Sequence, residues 1–247
     1  MAMYRALDAD KIIATIDQLK LRIDERFPGA GLAGVAGDLS ATARDSERKA
    51  AALARPSLVI QAAVGFVIAF FLAFVIYAVV NIPAPTNTEA TNIVQTLEAT
   101  ANLVVLAGIA IVFLASVQRR LKRTQALKAL HQLRSLVHVI DMHQLTKDPS
   151  LALGKERDIA KRSTPASPKR DMTAFELGRY LDYSSEMLSL TGKVAALYAQ
   201  DLDDPVVIEA VNDIEMLATN LSRKIWQKIA ILQVAAGGHM QAKVMAE

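Results

Sequence analysis

Residues 57–80, SLVIQAAVGFVIAFFLAFVIYAVV, contain no charged side chain. At about 1.5 Å per residue, a helix of that length reaches roughly 36 Å, enough to cross a hydrocarbon core of about 30 Å. A buried core helix of a soluble protein is the alternative. Such helices rarely stay charge-free and dominated by Phe, Val and Ile for so long. Residues 99–118, ATANLVVLAGIAIVFLASVQ, are also uncharged. Their strongly apolar part, residues 103–117, is short for a span. It follows a clear first span and ends at Arg119 and Arg120, so it reads as the return crossing. The sequence therefore predicts an all-α membrane protein with two transmembrane helices and a cytoplasmic helical bundle formed by both chain ends. The expected segments are a cytoplasmic helical hairpin (1–56), the first span (57–80), a short extracytoplasmic loop (81–98), the second span (99–118), a cytoplasmic stalk (119–146), a basic flexible linker (147–171) and an antiparallel helical hairpin (172–247).

The flanks set the orientation. Arg44, Arg48, Lys49 and Arg55 precede the first span, and Arg119, Arg120, Lys122, Arg123 and Lys128 follow the second. The connection between the spans has no Lys or Arg and carries Glu89 and Glu98. By the positive-inside rule both termini are expected in the cytoplasm, and an inner membrane is the expected location. The first 50 residues are charged and amphipathic, not a basic tip followed by a short apolar run, so the first span is expected to act as its own insertion signal. The net charge of +3 hides an uneven distribution, because residues 119–171 hold 13 basic against 5 acidic side chains. Arg55, Arg119, Arg120, Lys122 and Arg123 form a collar suited to anionic lipid headgroups. Nucleic acid is the weaker partner, since no aromatic residue interleaves with these bases for stacking.

Helical periodicity runs through the rest. Ile12, Ile16, Leu19, Ile23 and Phe27 make one stripe, with Asp8 or Asp10 as cap and Pro28-Gly29 as stop. A Gly- and Ala-rich turn follows, and a second helix is expected over residues 38–54, with Pro56 breaking the chain at the membrane surface. Between Pro85 and Pro149 there is no proline and Gly108 is the sole glycine, so one helix is expected from near Thr88 to about Leu145. Beyond the span it repeats at Ala126, Leu130, Leu133, Val137, Ile140 and Gln144, a heptad row. Residues 147–170 contain Pro149, Pro165 and Pro168 with seven basic and three acidic side chains, and read as a linker. Thr173 and Glu176 form a capping box. Asp204-Pro205 starts a last helix whose row is Val207, Val211, Ile214, Ala218, Leu221 and Ile225, and Gly237-Gly238 is expected to stop it. No strand signal or longer repeat is present outside the spans.

Chemistry-bearing residues are sparse. There is no Cys, which removes disulfides, thiolate metal sites and a Cys nucleophile. There is no Walker loop, dinucleotide glycine motif, His-Glu-x-x-His or nucleophile elbow, and no cofactor or metal is expected. The stalk gathers His131, Arg134, His138, Asp141 and His143. Arg134, His138 and Asp141 share a helix face by their spacing, the arrangement of a pH sensor, a proton carrier or half of a metal site. The plainer expectation is that they flank the heptad row and bond to neighbouring helices. Gly65, Ala69 and Ala73, spaced by four, let a membrane helix approach closely, with Gly108, Ala107 and Ala115 as candidate receivers in the same hairpin or in another subunit. Neither span holds an ionised residue, which argues against a pump or voltage sensor. Trp226, one step off the last helix's row, is either a core-rim residue or an anchor for a cytoplasmic protein partner.

These features predict a non-enzymatic homo-oligomer that couples a cytoplasmic binding or sensing event to two membrane spans. Two other functions fit the same residues. One is a membrane-disrupting or channel-forming effector of the defence or toxin type, for which only Gln61, Thr100, Asn102 and Ser116 offer polar groups in or beside the spans. The other is a membrane-tethered hydrolase using the stalk His, Arg and Asp side chains.

Overall fold

The computed structural model describes residues 6–55, 58–81, 90–153, 164–167 and 172–244. Pro56, residues 82–89 of the expected extracytoplasmic loop and most of the basic linker lie outside the described residues, and residues 90–98 of that loop are helical. All the regular elements described are α-helices, with no strand among the described residues. They are α1 (Ala9–Arg26), α2 (Gly31–Ala54), α3 (Leu58–Asn81), α4 (Ala90–Leu145), α5 (Pro149–Leu153), α6 (Ala174–Asp201) and α7 (Pro205–Val244). The chain divides into two compact units, Met1–Ala54 with Ala126–Glu247, and Arg55–Gln125. Helix α4 contributes to both.

The first unit is a helical bundle, and its helix ends follow the local chemistry. Asp8 caps α1 by accepting a hydrogen bond from the Lys11 amide at 3.2 Å. Gly29 ends the turn after α1 with φ of 75°, the sole positive φ among the described residues and a conformation open to glycine because it has no Cβ. Thr173 and Glu176 close a reciprocal capping box at the start of α6. Asp204 accepts from the Val206 and Val207 amides at 3.0 and 3.3 Å, with Pro205 at the first helical position, where its missing amide hydrogen is not needed.

Helix α6 sits centrally, packed against α1, α2, α5 and α7. It therefore buries more than one side: Leu177, Leu181, Leu188 and Ala195, but also Tyr183, Met187, Leu190, Val194 and Leu197. Helix α7 needs one stripe only. Val207, Val211, Ile214, Ala218, Leu221, Ile225, Ile229 and Leu232 are all buried. Each large aliphatic side chain so placed contributes about 1.5–3 kcal/mol relative to exposure, an upper value because the unfolded chain is itself partly compact. The heptad row of α4 is buried throughout, from Ala126 to Gln144, and Ala129 and Leu136 widen it.

Two boundaries differ from the sequence expectation. Helix α2 begins at Gly31, not Asp38, and runs through the glycine-rich segment. Leu32, Val35, Ala36 and Leu39 are buried there, and that burial outweighs a cost of about 1 kcal/mol per helical glycine. Helix α7 passes through Gly237 and Gly238 and ends at Val244. Neither glycine takes the positive φ that a glycine stop uses, so the cooperative helix propagates past them. The region read as linker also contains the one-turn helix α5, packed on α6 and α7.

Candidate membrane segment and ligand cleft

In the second unit the apolar side chains point outwards. None of the most apolar 18-residue window in either long helix is buried. Phe66 is 71% exposed and Phe70 60%, with their rings stacked at 6.3 Å. A soluble core helix would hide these side chains, so the exposure separates the two readings of the sequence. The chain thus has two helices apolar enough to span a membrane. One side of each is half-buried: Ile60, Val64, Val67, Phe71 and Val75 on α3, and Leu103, Ala107, Ala110, Leu114 and Val117 on α4. The collar residues gather at one end of this pair. Arg55, Arg119 and Arg120 are exposed there, and Lys122 Nζ donates to the Arg55 carbonyl at 2.8 Å, with Arg123 beside it.

Gly65, Ala69, Ala73 and Gly108 lie outside these half-buried rows, whereas Ala107 lies within one. Gly65, Ala69 and Ala73 are exposed, and the positions where Gly65 or Gly108 would carry a Cβ have nothing within 4 Å. Nothing in the hairpin packs against Gly65 or Gly108, the other partner open to this row being a second subunit.

The stalk cluster does not converge. Arg134 approaches Asp213 on α7 at 3.9 Å, with both side chains more than half exposed. His131 and His138 are exposed, and the described residues show no side-chain hydrogen bond or ion pair for either. Asp141 accepts from Gln144 Nε2 at 2.5 Å. The His143 carbonyl accepts from the Tyr180 hydroxyl at 3.3 Å, and its ring lies against Gly31. No group of three His, Asp or Glu side chains suited to a metal occurs among the described residues. The polar junction at this level is Gln144 instead. Lys228 Nζ donates to its carbonyl at 2.8 Å and to its Oε1 at 2.7 Å. Burial lowers the Lys228 pKa, opposed by the nearby Asp148 and Asp141 carboxylates. Burial also pushes Tyr180 up to about 12.

Trp226 is 57% exposed, so it stands outside the core and not at its rim. With Leu188, Gly192, Lys193, Glu215 and Ser222 it lines an open groove of about 370 Å³ between α6 and α7.

A richer constellation lies between α1 and α6. Arg22 pairs with Glu186, and its guanidinium sits 5.4 Å from the centre of the Tyr183 ring. Arg179 lies 5.0 Å from the same ring and donates to Asp182 at 3.0 Å. The Tyr183 hydroxyl is the main influence raising the Arg179 pKa, against burial, with Asp182 and Glu186 adding to the rise. Phe27 meets Tyr180 and Tyr183 edge-on at 5.6 and 6.3 Å. Arg26 rests over Phe175 at 5.6 Å. Arg22 Nε is buried without a hydrogen-bond partner among the described residues. Arg22, Arg26, Phe175, Arg179 and Tyr183 line an open, polar cleft of about 610 Å³. The sequence reading passed over it, although Arg22 and Arg26 are four apart, as are Phe175, Arg179 and Tyr183 in turn, a spacing that puts each set on one helix face.

Comparison with family models, with curated proteins and with solved structures finds no match for this chain.

Proposed function

We propose that this protein is a non-enzymatic, two-pass inner-membrane protein that works as a homo-oligomer, with its helical bundle in the cytoplasm binding a partner or ligand and coupling that event to the spans. The observation that carries the reading is that no residue in the apolar windows of α3 and α4 is buried, with Arg55, Arg119, Arg120, Lys122 and Arg123 grouped at one end. Exposed apolar surface of this extent needs lipid around it, and basic flanks belong on the cytoplasmic side. The outward row of Gly65, Ala69 and Ala73 supports self-association, because small residues let helices of different subunits approach in a bilayer where hydrophobicity no longer drives contact. The stalk residues support binding over catalysis, since Arg134 turns to Asp213 and no hydrogen bond or ion pair of the His138 side chain occurs among the described residues.

The test is the mass of the detergent-purified particle, by light scattering or native mass spectrometry, for the wild type and for Gly65→Leu. A discrete oligomer that Gly65→Leu dissociates supports the reading. A monomeric wild type removes the oligomer and leaves the spans as an anchor.

A further inference from the structure

The α1–α6 cleft has the composition of a ligand site more than of a structural salt-bridge cluster. Two of its three arginines are held by carboxylates, Arg22 by Glu186 and Arg179 by Asp182. Arg26 has no carboxylate partner among the described residues, and its recorded contact is the face of Phe175. Phe175 is 67% exposed, so a flat surface stands open beside an unspent guanidinium. Glu176 lines the same cleft, but its carboxylate is engaged by the Thr173 amide and hydroxyl at 2.8 and 2.9 Å. That leaves Glu25 as the sole acidic side chain of the lining without a recorded hydrogen bond or ion pair. The cleft also opens at the N-terminus of the 28-residue helix α6, whose positive end adds to the field of the arginines. Its volume of about 610 Å³ lies within the roughly 300–1,000 Å³ of small-molecule sites.

We propose that this cleft binds a small phosphorylated molecule carrying a flat ring, the chemistry of a nucleoside monophosphate, with the phosphate on Arg26 and Arg179 and the ring stacked on Phe175. Guanidinium groups match phosphate oxygens in pairs, and a flat ring gains contact from an exposed aromatic face at little entropic cost. Tyr183, buried with Arg22 and Arg179 over its ring, positions both arginines. The proposal names the ligand class for the sensing role proposed above and rests on that role. Its test reads the cleft alone, whereas the spans are read by membrane fractionation and particle mass, so either can fail without the other.

The experiment is calorimetric titration of the full chain in detergent with AMP, GMP and UMP, and with adenosine and inorganic phosphate as the two halves of the ligand. At least one monophosphate is expected to bind saturably, and both halves to bind about tenfold or more weaker, because each lacks one set of contacts. Arg26→Gln and Phe175→Leu replace exposed side chains, so the bundle's helicity and melting are expected to stay at wild-type values. Each is expected to weaken binding by about tenfold. Absence of saturable binding by all three monophosphates overturns the proposal, as does binding that neither variant changes. Inorganic phosphate binding as tightly as the best monophosphate overturns the ring half of it.

Discussion

Placing arginines on the outward side of α3 tests whether that helix is solvated by lipid. Of the 23 residues at positions 58–80, 15 are Leu, Ile, Val or Phe. At about −0.3 to −0.6 kcal/mol each, the value at a span's centre, they supply at most roughly −5 to −9 kcal/mol towards insertion. One arginine near the centre costs about 2.5–3.5 kcal/mol and forfeits a further ~0.5 kcal/mol of phenylalanine. Phe70→Arg alone should therefore leave α3 inserted. Phe66→Arg with Phe70→Arg costs about 6–8 kcal/mol, which consumes nearly the whole driving force. Both side chains are exposed, so neither replacement alters the half-buried row of Val64, Val67 and Phe71. The assay is the fraction of protein that stays in the membrane pellet after alkaline carbonate extraction. Wild type and Phe70→Arg should remain in the pellet, and the double variant should be largely extracted. Val139→Arg, at an exposed position in the bundle portion of α4, should stay in the pellet and controls for added charge. A double variant retained like wild type, or a wild type that is itself extracted, refutes the assignment of α3 as a lipid-facing span.

Three further outcomes follow from the bundle. Leu133 is fully buried, so Leu133→Ala should destabilise the bundle by about 3–5 kcal/mol in urea unfolding of the detergent-solubilised chain, while exposed His138→Ala should change it by less than about 0.5 kcal/mol; equal effects would sink the placement of the α4 row. Tyr180 is protonated more tightly when folded, at about 12, than in an unfolded chain near its ordinary value of 10.0, so its contribution is fully present below pH 10 and fades as pH rises towards 12. The ceiling for that loss is about 2.7 kcal/mol, reduced to about 1–2 kcal/mol by water reaching the hydroxyl, and Tyr180→Phe should flatten the pH 10–12 decline measured by urea unfolding. A double-mutant cycle on Arg22→Ala and Glu186→Ala should give a coupling of about 0.5–1 kcal/mol, because both side chains are more than a third exposed; a coupling above about 2 kcal/mol would mean the pair is effectively desolvated.

What the sequence makes legible is decided by the range of the interaction. The α4 and α7 rows, the Thr173 capping box and the Asp204-Pro205 start depend on residues within a turn or two, and their spacing states them directly. The glycine-rich start of α2 is a local signal overruled at a distance. Three glycines at Gly31, Gly34 and Gly37 disfavour helix, yet Leu32, Val35 and Leu39 gain more by packing in the bundle than the glycines lose. The small row Gly65, Ala69 and Ala73 states that close approach is available, but not to what. The α1–α6 cleft is least legible, since Arg22 and Glu186 are separated by 164 positions and only folding sets Arg26 and Phe175 face to face. Each helix nonetheless carries its share as an i, i+4 series of arginine or aromatic residues on an otherwise ordinary amphipathic surface. A long cation beside an exposed aromatic ring is costly to keep ordered for stability alone, because surface pairs return about 1 kcal/mol or less against the side-chain entropy they lose. An arrangement that gains so little for the fold is better explained by what it can hold, which is why the cleft and not the stalk histidines is the place to look for the ligand.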